Sequence, residues 1–363
     1  MSRPRAREAG IWFGDLPTGP RNLITDVAGV RVGHCTIIKG TGPLKVGHGP
    51  VRTGVTSILP HGRNMFREPV KAAYFDMNGC GGLMGALQIH EFGLIDTPIV
   101  LTNTMSMGSV ADSVIRFLLK SNLDVGISED TIIPIVAECD DSYLNDARGL
   151  HVREEHVFAA IDDAKETFAE GAVGAGTGMS CYDFKGGIGS SSRVVAIGEG
   201  KYTIGALVLS NHGMMEELRI DGVPIGMNLS PPEVKRSEQG SIVTVVATDA
   251  PLDARQLGRI ARRTFLGLAV TGFRSHNGSG DISVAFSTAN MHERGKQGLI
   301  TDELLQDKDI SPLFRATADC SEEAVVNSIF KAETTVGRDG NTVPALPIEK
   351  TLELMKAHGR LLR

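Results

Sequence analysis

A serine preceded by glycine stands at residue 241, where a polar, charged stretch gives way to an apolar run. Residues 230–240 read SPPEVKRSEQG, with two prolines and four charged side chains (Glu233, Lys235, Arg236 and Glu238), and residues 241–248 read SIVTVVAT. The first composition belongs to an exposed linker and the second to a buried strand. A serine at such a junction is placed to attack the peptide bond before it. Gly240 offers an unhindered, conformationally permissive carbonyl. Scission there would leave Ser241 with a free α-amine of ordinary pKa ~8, able to accept the proton of its own hydroxyl. Gly-Ser is also a common dipeptide, and an ordinary loop-to-strand boundary accounts for the same residues.

Other chemistries fit less well. The glycine-rich segment GAVGAGTGM at 171–179 fails the dinucleotide fingerprint, because after Gly174 and Gly176 the third required glycine falls on Met179. KGGIGSSS at 185–192 lacks the Gly-Lys-Ser/Thr ending of a phosphate loop. There is no G-x-S-x-G elbow, and His90-Glu91 is not followed by the second histidine of a zinc-protease helix. Neither a Ser-His-Asp triad nor a carboxylate pair stands out by spacing. The five cysteines (Cys35, Cys80, Cys139, Cys181 and Cys320) are scattered without a C-x-x-C pair, which predicts free thiols, no zinc and a reducing cytoplasm.

Composition narrows the partners. Lys and Arg total 37 against 43 Asp and Glu, leaving a net charge of -6, which repels phosphate backbones and anionic membranes. The basic opening MSRPRAREAGIWF has no apolar core behind it, and no window of ~18 apolar residues would span a bilayer. A soluble cytoplasmic protein without nucleic-acid or membrane partners is expected.

The elements that must position the junction are mixed. A length of 363 residues suits about two domains or one large unit, and 43 glycines favour many turns and close backbone approaches. Alternating or β-branched runs predict strands at 29–38, 54–59, 72–77, 98–102, 131–137, 191–197, 202–209, 241–247 and 281–286. Helical patterns fall at 110–120, 152–170, 252–270, 302–305 and 321–333. Strands come in groups of two or three, not in strict βαβ alternation, so the fold class reads as α+β with antiparallel sheets partly covered by helices.

Seven motifs, in one order from about residue 22 to 347, carry a resemblance. NLITDVAGVRVGH, VRTGVTSILPHG, PIVLTNTMSMGSVADSVI, GAGTGM, GSIVTVVATDAPL, NGSGDISVAFSTAN and GRDGNTVPALP resemble the DmpA-type L-aminopeptidase/D-alanine-esterase and β-peptidyl aminopeptidase family. The resemblance implies a self-processing N-terminal-nucleophile hydrolase with an αββα four-layer sandwich, shared with ornithine acetyltransferase. The chain would be a single unit, 1–363, cleaved into 1–240 and 241–363, its cleaved protomers forming a homo-oligomer. Neither metal nor organic cofactor is implied, and the partner is a short peptide, amino-acid amide or ester.

Residue by residue, the resemblance makes Ser241 the nucleophile and Gly240 the end of the first fragment. It places Ser279 and Asp281 beside the Ser241 amine and hydroxyl as a proton relay. It gives Asn211 to the oxyanion and Glu138 to the substrate ammonium. Two departures stand out. Asp140 occupies a position where the family leads one to expect an aromatic side chain, which makes the amine pocket more acidic. Gly82 replaces an expected acid, which weakens any role for the loop around it. Hydrolysis of β-peptides or linear amino-acid oligomers, acetyl transfer and a nonenzymatic scaffold are the alternatives; a serine at the new terminus, in place of threonine, favours the aminopeptidase.

Overall fold

The computed structural model of the chain describes residues 3–229 and 240–361, so the expected linker lies outside the described residues except for Gly240. In chain order the strands are β1 (Arg31–Lys39), β2 (Val51–Leu59), β3 (Val70–Gly79), β4 (Leu83–Met84), β5 (Leu94–Ile95), β6 (Ile99–Asn103), β7 (Ile135–Cys139) and β8 (Ser180–Cys181). There follow β9 (Phe184–Lys185), β10 (Ile188–Ile197), β11 (Gly200–Asn211), β12 (Ser241–Thr248), β13 (Gly280–Ser287), β14 (Thr335–Val336) and β15 (Thr342–Val343). The helices are α1 (Ala86–Phe92), α2 (Met107–Leu119), α3 (Glu154–Asp162), α4 (Ala254–Val270), α5 (Ser311–Lys331) and α6 (Ile348–Ala357). None of the described helices is long and apolar enough to cross a membrane.

Two sheets form the centre. One runs β1-β2-β6-β7-β4 and the other β10-β11-β12-β13-β3-β5. Strand alternation decides which side chains meet between them. Val243, Val245 and Ala247 of β12 join Leu207 and Leu209 of β11 in a buried cluster with Ile99, Leu101, Ile135 and Ala137 of the first sheet. The intervening residues of the second sheet, among them Ile242, Val246, Ala206 and Val208, pack outward against α4 and α5. The outer face of the first sheet, with Val51, Val100 and Val136, is covered by α2 and α3. The result is the expected helix, sheet, sheet, helix layering. By this alternation Ser241 and Asn211 share the inter-sheet face with Val243 and Leu209.

Helix α4 shows why these residues cover a sheet. Leu257, Ile260, Ala261, Phe265 and Leu268 recur at helical spacing and are buried, and Asp253 accepts a hydrogen bond from the Gln256 N–H at 2.6 Å as the N-cap. The crossover it provides makes β12 and β13 parallel neighbours, pairing Ser241 with Gly280.

Several expectations need correction. The helix expected over 152–170 stops at Asp162, because the chain beyond it turns to pair with β1 through Lys165 and Val32, with N–H···O distances of 3.0 and 3.1 Å. Residues 302–305 form no helix; a single 3₁₀ turn follows at Asp307–Asp309. The last expected helix begins ten residues earlier, at Ser311, where Pro312 sits in the first turn. The strand expected at 131–137 is shifted to Ile135–Cys139.

Candidate active site

Ser241 is the first residue of β12 and is buried. Its Oγ accepts a hydrogen bond from the Gly280 N–H at 3.2 Å. The same N–H lies 3.2 Å from the carbonyl oxygen of Gly240. One backbone donor is therefore shared between the hydroxyl and the carbonyl of the peptide bond preceding it. Glycine is required at 240 by close approach: a Cβ there would lie 2.7 Å from the Asn211 carbonyl oxygen and 2.8 Å from His212 Cα. Gly280 is held to the same standard, since a Cβ would meet Gly81 Cα at 2.7 Å. Neither neighbour is a side chain that could swing aside.

The register of β11 and β12 places Asn211 opposite Ser241. The Asn211 amide is fixed at both ends, its Nδ2 donating to the Asp140 carbonyl at 2.9 Å and its Oδ1 accepting from the Ser180 N–H at 2.9 Å. An amide nitrogen has two hydrogens, so one remains for a ligand. Asn211, Gly240, Ser241, Glu138 and Asp140 all line one cavity of about 1210 Å³.

Glu138 is buried at the end of β7. Its Oε1 accepts from the Gly82 N–H at 2.7 Å, and its Oε2 accepts from the Thr104 hydroxyl. Burial pushes its carboxyl above the usual range, and these two donors oppose the shift. The 80–82 loop thus has a role after all, through a backbone donor that needs no acidic side chain, and it too lines the cavity. Asp140 turns its carboxylate onto Ser142, accepting from the backbone N–H and from the hydroxyl at 2.8 Å each.

Ser279 and Asp281 stand apart from the cavity. The Ser279 hydroxyl donates to Asp281 Oδ1, and the Ser275 hydroxyl donates to Oδ2. Burial raises the Asp281 pKa, with both hydroxyls opposing. Among the described residues no hydrogen bond joins either Ser279 or Asp281 to Ser241; they flank Gly280, the residue that does reach it. Sequence reasoning assigned no role to Gly280, nor to Thr104, Ser180 and the arginines Arg148 and Arg338 on the cavity wall. Gly280 was findable inside NGSGD. The arginines carried no local signal. Among the described residues no group of His, Cys, Asp and Glu gathers to hold a metal ion.

A serine at a strand start, sharing one N–H with the preceding carbonyl and facing an asparagine amide, can support acyl transfer. The family model for peptidase family S58 matches residues 22–343. The chain belongs to peptidase family S58. It is 41% identical to the β-peptidyl aminopeptidase BapA of Sphingosinicella microcystinivorans, the alignment covering 99% of this chain and 93% of that protein. The PH0078 protein from Pyrococcus horikoshii OT3 superposes with a TM-score of 0.95 at 52% identity, covering 99% and 100% of the two chains. The L-aminopeptidase D-Ala-esterase/amidase from Ochrobactrum anthropi, described as a prototype for the serine aminopeptidases with a variant of the Ntn hydrolase fold, gives a TM-score of 0.93 at 39% identity, with coverage of 99% and 100%. The S58 chain is thus a serine aminopeptidase of Ntn type, acting on peptide or amide substrates. The family sets aside the acetyltransferase and scaffold readings.

Proposed function

We propose that the chain cuts itself between Gly240 and Ser241 and then releases N-terminal residues from short peptides, amino-acid amides or esters through a Ser241 acyl-enzyme. The observation that carries this reading is the shared Gly280 N–H, 3.2 Å from both the Ser241 hydroxyl oxygen and the Gly240 carbonyl oxygen. Attack of Oγ on the Gly240 carbon forms the new C–O bond and puts negative charge on the oxygen beside that donor. Cleavage of the C–N bond leaves an ester and a free Ser241 amine, and water hydrolyses the ester. In turnover the amine takes the hydroxyl proton as Oγ attacks the substrate carbonyl, the leaving amine departs protonated, and water releases the acyl group. Gly280 and Asn211 are the oxyanion donors in this scheme. Ser279 and Asp281 orient the Gly280 segment and the proton path.

Glu138 receives the substrate ammonium in this reading, with Asp140 adding negative charge nearby. A free amine is then required, because a blocked one leaves a buried carboxylate without a counter-charge. Small terminal residues are expected, and the similarity to BapA supports β-residues as a second class. The cleaved protomers are proposed to form a homo-oligomer, which light scattering after gel filtration would measure. The five free cysteines are consistent with the cytoplasm.

Intact-mass measurement of the purified chain is the decisive experiment. Two fragments for the wild type and one inactive chain for Ser241→Ala are expected. A wild type that remains one chain yet hydrolyses amides would overturn the terminal-amine mechanism, and equal cleavage of N-acetylated substrates would overturn the role of Glu138.

A further inference from the structure

The cavity beside Ser241 is lined by charges of both signs, Glu138 and Asp140 on the one hand and Arg148 and Arg338 on the other. Asp140 is committed to Ser142, accepting from its N–H and hydroxyl, which leaves Glu138 as the acid open to an ammonium. We propose that Arg338, assisted by Arg148, binds the terminal carboxylate of a short peptide, so that the preferred substrate is a zwitterion whose ammonium sits at Glu138. This rests on the hydrolase reading above and adds what is recognised on the leaving side.

Arg338 is held in place. Its Nε donates to the Ser142 carbonyl at 2.7 Å, and its backbone N–H donates to the Leu144 carbonyl at 3.0 Å. The nearby Asn341 Nδ2 donates to the Tyr143 carbonyl at 2.8 Å. Three successive carbonyls of the cavity wall are thereby stapled to the turn that carries the arginine, and the Nε bond anchors the guanidinium to that wall. Its Nη1 reaches Asp339 Oδ2 at 3.2 Å in an exposed pair, while Nη2 has no partner among the described residues. Asp339 is itself tied down, its Oδ1 accepting from the Leu44 N–H at 2.8 Å. Arg148 is exposed and makes no hydrogen bond or ion pair among the described residues. A fixed guanidinium edge with an open position suits a carboxylate, whose two oxygens match the planar fork.

Chain length sets the size of the ligand. Four residues of chain separate Glu138 from Ser142, where Arg338 is anchored, a span of at most about 14 Å even if fully extended. An ammonium at Glu138 and a carboxylate at Arg338 thus suit a short peptide rather than a long one. The polarity also orients it. A peptide entering backwards would set its carboxylate against Glu138, whereas the forward orientation satisfies both ends and brings the first carbonyl to Ser241. C-terminal amides and p-nitroanilides of the same amino acids would gain only the Glu138 contact.

The test compares β-alanyl-alanine and alanyl-alanine with their C-terminal amides. Wild-type kcat/KM should favour the free acids by about tenfold, the size expected of a partly exposed charge-assisted contact. The preference should reside in KM and shrink with added salt. In Arg338→Gln the ratio of acid to amide should fall toward one. Should that variant fail to fold because the staple is lost, Arg148→Glu, at an exposed and unpartnered position, must lower the ratio by itself. A wild-type ratio near one, or a ratio preserved in both variants, would overturn carboxylate recognition while leaving the hydrolase reading intact. Failure of the wild type to cleave any of the four compounds would overturn that reading and this proposal together.

Discussion

Replacing Gly240 by alanine separates self-cleavage from turnover. A Cβ at this position would stand 2.7 Å from the Asn211 carbonyl oxygen and 2.8 Å from His212 Cα, well inside ordinary carbon contact distances of about 3.5–4.0 Å. Both neighbours are backbone, the last residue of β11 and the one after it, and the ladder of β11 with β12 runs from Ile204 to Asn211, so relief must come from residue 240. A displacement of several tenths of an ångström to about 1 Å draws the Gly240 carbonyl away from the Gly280 N–H, now at 3.2 Å, and away from Oγ. Misplacement on that scale lowers the rate of a positioned reaction by about 10²-fold. A chase after in vitro translation, followed on a denaturing gel, should therefore show Gly240→Ala precursor persisting about 10 to 100 times longer than the wild type. In the proposed mechanism residue 240 supplies no reacting group to later turnover, so activity per cleaved chain should match the wild type. Cleavage at the wild-type rate would refute the idea that this carbonyl must sit where the structure holds it.

Glu138→Gln should raise KM by about 10- to 100-fold for substrates with a free amine, the worth of a charge-assisted contact, and leave N-acetylated compounds equally poor; steady-state kinetics on both sets checks it. The wild-type kcat/KM profile should have an acid limb above the usual carboxylate range, since burial raises the Glu138 pKa. The ionised form holds the ammonium, so activity rises as pH climbs through that raised value, and Glu138→Gln should abolish this limb. Ser279→Ala and Asp281→Asn should lower kcat by about 10²-fold while the chain stays folded; unchanged kcat in both would make their hydroxyl-carboxylate pair purely structural.

What was legible in the sequence followed from side-chain pattern. The apolar run after Ser241 fixed the start of β12, and its alternation already implied which residues share the serine's face. The resemblance named Asn211 and Glu138, and the fold brings both to one cavity with Ser241. The misses have a common physical origin in backbone. Gly82 and Gly280 contribute N–H groups, which no residue type advertises. Lys165 ends a helix early because its main chain pairs with Val32. Arg338 reaches the cavity only because a turn nearly two hundred residues downstream folds against 142–144, a contact without local periodicity. Helix α5 was findable earlier, since Ser311-Pro312 is a reasonable helix start, but the mixed stretch after it hid the period.

The order of the second sheet bears on the proposed scission. β12 and β13 lie after residue 240, yet they are inserted between β11 on one side and β3 on the other, both of which precede it. Eight residue pairs join β11 to β12, and a second ladder joins β13 to β3. Breaking the 240–241 bond therefore removes one covalent link while both ladders, and the buried clusters on each face, remain. The candidate site is divided in the same way, with Glu138 and Asn211 on the first segment and Ser241, Gly280 and Arg338 on the second. Neither segment could assemble it alone. A cut at this bond frees the serine amine at the end of a strand held on both sides, which is how a new terminus can form without the nucleophile losing its position.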